Sequence, residues 1–189
     1  MFNVGDSIFY PMHGAGRVES IEEKDILGEK QSYYILKMPG EVKVMVPVAK
    51  ADDVGVRNII DQESAYKVIN VLENNSTEMS MNWNKRYRDN MDRLKSGDIY
   101  EIADIVRNLS FKQKEKCLST GEKKMLLNAK QILVSELVLA QNLTQEQVEI
   151  MVDAKIDTSF EAYKPKQDVV GDTIVKTFIP FDTGNTDEM

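Results

Sequence analysis

The stretch Val42-Lys43-Val44-Met45-Val46-Pro47-Val48 places a valine at every second position, and Asp61-Gln62-Glu63-Ser64-Ala65-Tyr66-Lys67-Val68-Ile69-Asn70-Val71-Leu72, little more than a dozen residues later, does not. The first has the period of a strand with one buried face. The second groups Ala65, Val68, Ile69 and Leu72 at helical spacing behind an aspartate able to cap the helix. The period changes after Asp52-Asp53, so the chain divides into a β unit and a helical unit, an α+β protein.

Upstream of the change, short alternating runs are separated by turn residues. Ser7 to Tyr10 ends at Pro11, Gly14-Ala15-Gly16 leads into Arg17-Val18-Glu19-Ser20-Ile21-Glu22, Gly28-Glu29-Lys30 precedes Tyr33 to Met38, and Pro39-Gly40 turns the chain again. Four or five such strands predict a small antiparallel barrel over residues 1–53. Downstream, Asn74-Asn75-Ser76 ends the first helix, and a second runs from about Met81 to Lys95 with Gly97 placed to terminate it. Asp98 with Glu101, Ser119 with Glu122 and Thr144 with Gln147 have capping-box spacing and start three more. Five amphipathic helices bury their faces against one another, which predicts a compact helical domain over residues 54–156. Residues 157–189 contain Pro165, Gly171, Pro180 and Gly184 and an acidic end, and read as a mobile tail. Within it Thr173-Ile174-Val175-Lys176-Thr177-Phe178-Ile179 is strand-like and could dock on this chain or on a partner.

The formal net charge of −7 argues against a general nucleic-acid binder, yet the charge is uneven. Residues 83–130 carry 12 cations against 7 anions, net +5, and every other block is acidic. That pattern predicts local affinity for phosphate. The basic block opens on the only tryptophan, in Asn82-Trp83-Asn84-Lys85-Arg86-Tyr87-Arg88. A flat apolar ring among cations at a helix start suits insertion between bases with phosphates gripped on either side. By periodicity alone burial leads, because Trp83, Tyr87, Met91 and Leu94 form one apolar stripe.

Several functions find no support. One cysteine, Cys117, forms no internal disulfide, and one histidine with one cysteine supplies no zinc site. His13 beside Gly14-Ala15-Gly16 lacks the phosphate-loop pattern and reads as part of a turn. Asp52-Asp53 and Glu22-Glu23 read as solvated surface. No sequence basis for an enzyme or a cofactor emerges. No run of about 18 apolar residues is present and Met1 leads directly into a patterned segment, so a cytoplasmic location without membrane attachment is expected.

The order and spacing of certain residues resemble the CarD/CdnL family of bacterial transcription regulators over about residues 1–155. They are Val4-Gly5-Asp6, Tyr10-Pro11, His13-Gly14, Val46-Pro47, Val54-Gly55-Val56-Arg57, Asn82-Trp83 with Arg86-Tyr87, Ser96-Gly97-Asp98, and Ser119 with Gly121-Glu122-Lys123. The N-terminal unit also looks like the polymerase-binding module of transcription-repair coupling factors. The resemblance implies a Tudor- or SH3-like barrel that docks on the RNA polymerase β subunit, with Lys24, Ile26 and Met45 at the contact. Met45 departs from the arginine that some members carry.

The resemblance further implies that Trp83 wedges into the minor groove at the upstream edge of the transcription bubble. Lys85, Arg86 and Arg88 would hold phosphates there, and Lys123, Lys124 and Lys130 would form a second basic edge. The expected role is stabilisation of the open promoter complex with little sequence specificity, by a monomer associated with the nucleoid through the polymerase. This reverses the burial expectation for Trp83 and leaves Tyr87 in the core. The rival reading is a protein–protein adaptor with no direct DNA contact, in which Trp83 is core and the basic block is only solvated.

Overall fold

Alternation in the first half forms one antiparallel sheet in the computed structural model, which describes residues 1–26 and 28–163. Its strands are β1 (Ser7–Tyr10), β2 (Gly14–Ile26), β3 (Glu29–Lys37), β4 (Lys43–Pro47) and β5 (Arg57–Asn58), in the order β4-β3-β2-β1-β5. The edges β4 and β5 do not pair, so the sheet is open where a closed barrel was expected. A physical reason lies in β1. Period two sends Ile8 and Phe9 to opposite faces, and both are fully buried: Ile8 joins the sheet's own core with Val18, Leu36 and Val46, and Phe9 joins the core of the helices. The second face at this end is covered by helix rather than by more sheet. Strand β5 follows residue 53, so the sheet extends past the expected boundary.

The five expected helices are present: α1 (Gln62–Glu73), α2 (Trp83–Ser96), α3 (Ile99–Glu115), α4 (Thr120–Gln141) and α5 (Gln145–Ala162). Four starts are capped by the residue that the spacing identified, and Asn82 caps α2, which begins two residues after the expected Met81. Asp61 accepts from the Ser64 N–H at 2.7 Å, Asn82 from that of Lys85 at 3.1 Å, and Asp98 from that of Tyr100 at 2.8 Å, while Ser119 and Thr144 form reciprocal capping boxes. Helix α5 continues to Ala162, so residues 157–162, expected in the tail, are helical. Ser159 donates to the carbonyls of Glu73 and Asn74 at the end of α1, and Phe160 packs edge-on against Phe111. The Thr173–Ile179 run lies outside the described residues. Among those that are described, no helix is long and apolar enough to cross a membrane.

Sheet and bundle meet along α4. Glu136 has no solvent exposure and receives a two-pronged contact from Arg57 of β5, at 2.6 and 3.1 Å. Glu136 also accepts from the Ile60 N–H at 3.0 Å. The same guanidinium donates to the Gly97 carbonyl at 2.9 Å and lies 4.0 Å over the Phe9 ring. Gly97 ends α2 with φ of +72°, and a Cβ there would stand 3.1 Å from both Phe9 and Pro11. Both conformation and space therefore require glycine. The Ala15 N–H adds a 2.8 Å bond to Ser135 Oγ on α4.

Breaking the Arg57 contact strands a buried carboxylate. Arg57→Ala is expected to lower unfolding free energy by about 3–5 kcal/mol, read from urea denaturation. Arg57→Lys keeps the charge but not the fork, and recovers only part of the loss.

Candidate nucleic-acid interface

Helix α2 begins with an electrostatic mismatch. Its first turn holds no acidic side chain, and Lys85 and Arg88 stand exposed close to the positive end of the helix dipole. A cation there costs about 0.3–1 kcal/mol, which is reason to look for an anionic ligand. Trp83 is the first residue of α2 and is 44% exposed. Its ring stacks on Tyr87 at 5.5 Å with an interplanar angle of 27°, and its Nε1–H donates to Ser119 Oγ at 2.9 Å. Tyr87 is half-buried against the helical core. The ring is thus seated on one side and open on the other.

The seat is the start of α4. Ser119 caps that helix, and Gly121 leaves room for the aromatic pair: a Cβ on it would lie 3.3 Å from Tyr87 Cε2 and 3.6 Å from Trp83 Cζ2. Glu122, only 3% exposed, closes the capping box by accepting at Oε2 from the Ser119 N–H at 3.1 Å and the Ser119 hydroxyl at 2.9 Å. Its Oε1 accepts from Arg86 Nε of α2 at 2.8 Å and Lys112 Nζ of α3 at 2.6 Å. Three helices therefore converge on one carboxylate. Burial pushes the Glu122 carboxyl up, but Lys112, the Ser119 N–H, Arg86 and the Ser119 hydroxyl together outweigh it and hold it down at about 2.

Two expected phosphate contacts are corrected by this geometry. Arg86 is buried, and besides Glu122 its guanidinium donates to the Ser80 carbonyl at 2.6 Å, so it organises the approach to α2 rather than facing solvent. Lys130 is half-buried and paired with Asp153 of α5 at 2.6 Å, so it joins α4 to α5. The charge count along the chain put both cations in the basic block and the family resemblance made them phosphate contacts, but only packing against an acid from another helix decides which way they are used. Lys85, Arg88, Lys123 and Lys124 are exposed and form no ion pair among the described residues. Lys123 and Lys124 lie on the first turns of the helix that seats the ring.

Pairing register also groups the sheet residues. Ser20, Ile35 and Met45 are cross-strand neighbours, as are Glu22, Tyr33 and Pro47, so Lys24 and Ile26, two and four residues beyond Glu22, share their face. Met45 is 44% exposed on edge strand β4, and Lys24 pairs with Glu22 at 2.8 Å. An open cleft elsewhere, lined by Arg93, Glu101, Asp104 and Arg107, is spanned by ion pairs between these residues and does not include Trp83. No group of three or more potential metal ligands occurs among the described residues.

The two structural units each match a family. Residues 2–60 match the CarD-like/TRCF RID domain, a family of RNA polymerase-interacting domains, and residues 67–153 match the CarD C-terminal domain. A protein of Bacillus subtilis (strain 168) named "Putative transcription factor YdeB" is 40% identical over 149 residues, which span 78% of this chain and 97% of that protein. The chain belongs to the CarD-like family. CarD-like proteins are transcription-associated factors, and the α+β reading stands with the family. Within this CarD-like chain, sequence reasoning recognised Ser119 and Glu122 as a capping box but missed them as partners of Trp83 and Arg86. The spacing signals the cap, and nothing local signals the tertiary contact.

Because the Glu122 carboxyl is held below its ordinary value, its contribution to stability is present above about pH 4.5 and is lost as pH falls toward about 2. Glu122→Gln is therefore expected to lower the melting temperature most at neutral pH. The gap from the natural protein should narrow between pH 4.5 and 2, as followed by circular dichroism.

Proposed function

We propose that this protein docks on the RNA polymerase β subunit through its sheet and steadies the open promoter complex by inserting Trp83 into the minor groove at the upstream edge of the bubble. The observation that carries this reading is a half-exposed tryptophan, seated at a helix start, with four exposed cations on α2 and α4 that have no acidic partner among the described residues. Unstacking a base step costs about a few kcal/mol, so a wedge favours DNA that is already opened over intact duplex. A ligand that binds one of two states better shifts the equilibrium toward it without catalysing any chemistry. Lys85, Arg88, Lys123 and Lys124 serve as phosphate contacts, which position the ring and read no sequence.

The sheet supplies the anchor. Edge strand β4 offers unpaired backbone groups, and the face carrying Lys24, Ile26 and Met45 offers side chains beside it. Met45 makes part of that contact apolar.

The lifetime of open complexes formed by the cognate polymerase on a ribosomal RNA promoter, under heparin challenge, tests the wedge. The protein should lengthen that lifetime and Trp83→Ala should abolish the gain; a gain that survives the substitution refutes the reading. Four phosphate contacts predict a slope of log affinity on log salt of about −3.6, and Lys123→Glu with Lys124→Glu should reduce its magnitude by about 2. A salt-independent protein is an adaptor instead. Met45→Asp should weaken capture of the polymerase β subunit in a pull-down and leave the salt slope unchanged.

A further inference from the structure

We propose that Ser119 is a positioning residue for the wedge, fixing the angle of the Trp83 ring before nucleic acid arrives; this rests on the function proposed above. A serine hydroxyl has one donor and two acceptor sites, and all three are used here. It donates to Glu122 Oε2 at 2.9 Å, accepts from the Glu122 N–H at 3.2 Å, and accepts from the Trp83 indole N–H at 2.9 Å. An ionised carboxylate can only accept, so Glu122 directs the hydroxyl proton toward itself and leaves a lone pair for the indole. Arg86 and Lys112 hold that carboxylate in place from two other helices. The chain of contacts therefore runs from the packing of α2, α3 and α4, through Glu122 and Ser119, to the ring.

Two consequences follow for how the ring is used. Its one polar atom is engaged inside the chain, so the exposed part is hydrocarbon, suited to stacking against bases without a preferred hydrogen-bond acceptor. Its rotation is restricted beforehand, and a side chain already held in place loses less freedom on binding. Gly121 completes the seat, because a methyl group there would crowd Tyr87 at 3.3 Å and, through it, the stacked indole.

The 189-residue chain carries a single tryptophan, so its fluorescence reports this ring alone. Ser119→Gly removes the acceptor for the indole; glycine replaces a serine cap with a loss of only a few tenths of a kcal/mol, and Glu122 Oε2, which loses the hydroxyl, keeps the backbone N–H of residue 119 at 3.1 Å. The substituted protein should remain folded by circular dichroism. Time-resolved anisotropy should show faster local motion of the ring, acrylamide should quench it more readily, and the open-complex lifetime gain should fall about fivefold, the equilibrium worth of one hydrogen bond. Ser119→Thr, which keeps the hydroxyl, should restore all three. Gly121→Ala should shift the emission, because the added methyl meets Tyr87 at 3.3 Å beneath the stacked indole.

Unchanged anisotropy and quenching in Ser119→Gly would overturn the proposal. A loosened ring with an undiminished lifetime gain would overturn it equally. If Trp83→Ala itself leaves the gain intact, the wedge reading fails, and the fluorescence results alone then decide whether Ser119 positions the ring.

Discussion

The carboxylate of Glu122 is the point on which the helical half depends. It is buried, it closes the cap of α4, and it takes cations from α2 and α3 at one oxygen while its own capping serine occupies the other. A buried charge of this kind is tolerable only when every lone pair has a donor, and here the donors come from three helices. The relative placement of those helices is consequently specified by a polar contact as well as by the apolar faces of Ile102, Val106, Leu133 and Leu137. Trp83, one turn before Arg86 on α2, inherits its position from this junction.

A second buried ion pair does the same work for the two halves of the molecule. Arg57 leaves the last strand and meets Glu136 on α4, under cover of Phe9 and beside the carbonyl of Gly97. Because Phe9 and Ala15 are counted among the core of the helices, sheet and bundle share buried surface rather than meeting at a linker. For a protein proposed to anchor through one half and insert through the other, that matters mechanically. A rigid junction turns docking of the sheet into placement of the ring, whereas a loose one would leave the ring to find its site unaided.

Much of the basic block proves to be internal structure. Arg86, Arg93, Arg107, Lys112, Lys114 and Lys130 all pair with acids, several from other helices, and among the described residues Lys85, Arg88, Lys95, Lys116, Lys123 and Lys124 form no ion pair. The net charge of that block therefore overstates what a phosphate would meet. Four of these, Lys85, Arg88, Lys123 and Lys124, lie on the helices α2 and α4 that carry and seat the ring, a small surface that suits a contact made when a larger partner holds the protein nearby.

The sequence by itself determined the elements. Alternation in Val42 to Val48 and helical spacing from Asp61 onward are local properties of the backbone period. The caps at Asp61, Asn82, Asp98, Ser119 and Thr144 involve groups two or three residues apart, so they are legible without knowing what packs where. Five helices and the strand units followed. Only the tertiary structure decided how the sheet ends, which cations are free, and what holds the ring. The sheet is open, and α4 packs on its strand β2 from residues more than 100 positions away. Glu122 buries Arg86, Asp153 pairs with a half-buried Lys130, and Ser119 meets the ring through a bond to an indole 36 residues earlier. Each of these depends on distances across the fold, and a one-dimensional pattern carries no information about which residues of different elements come within hydrogen-bond reach.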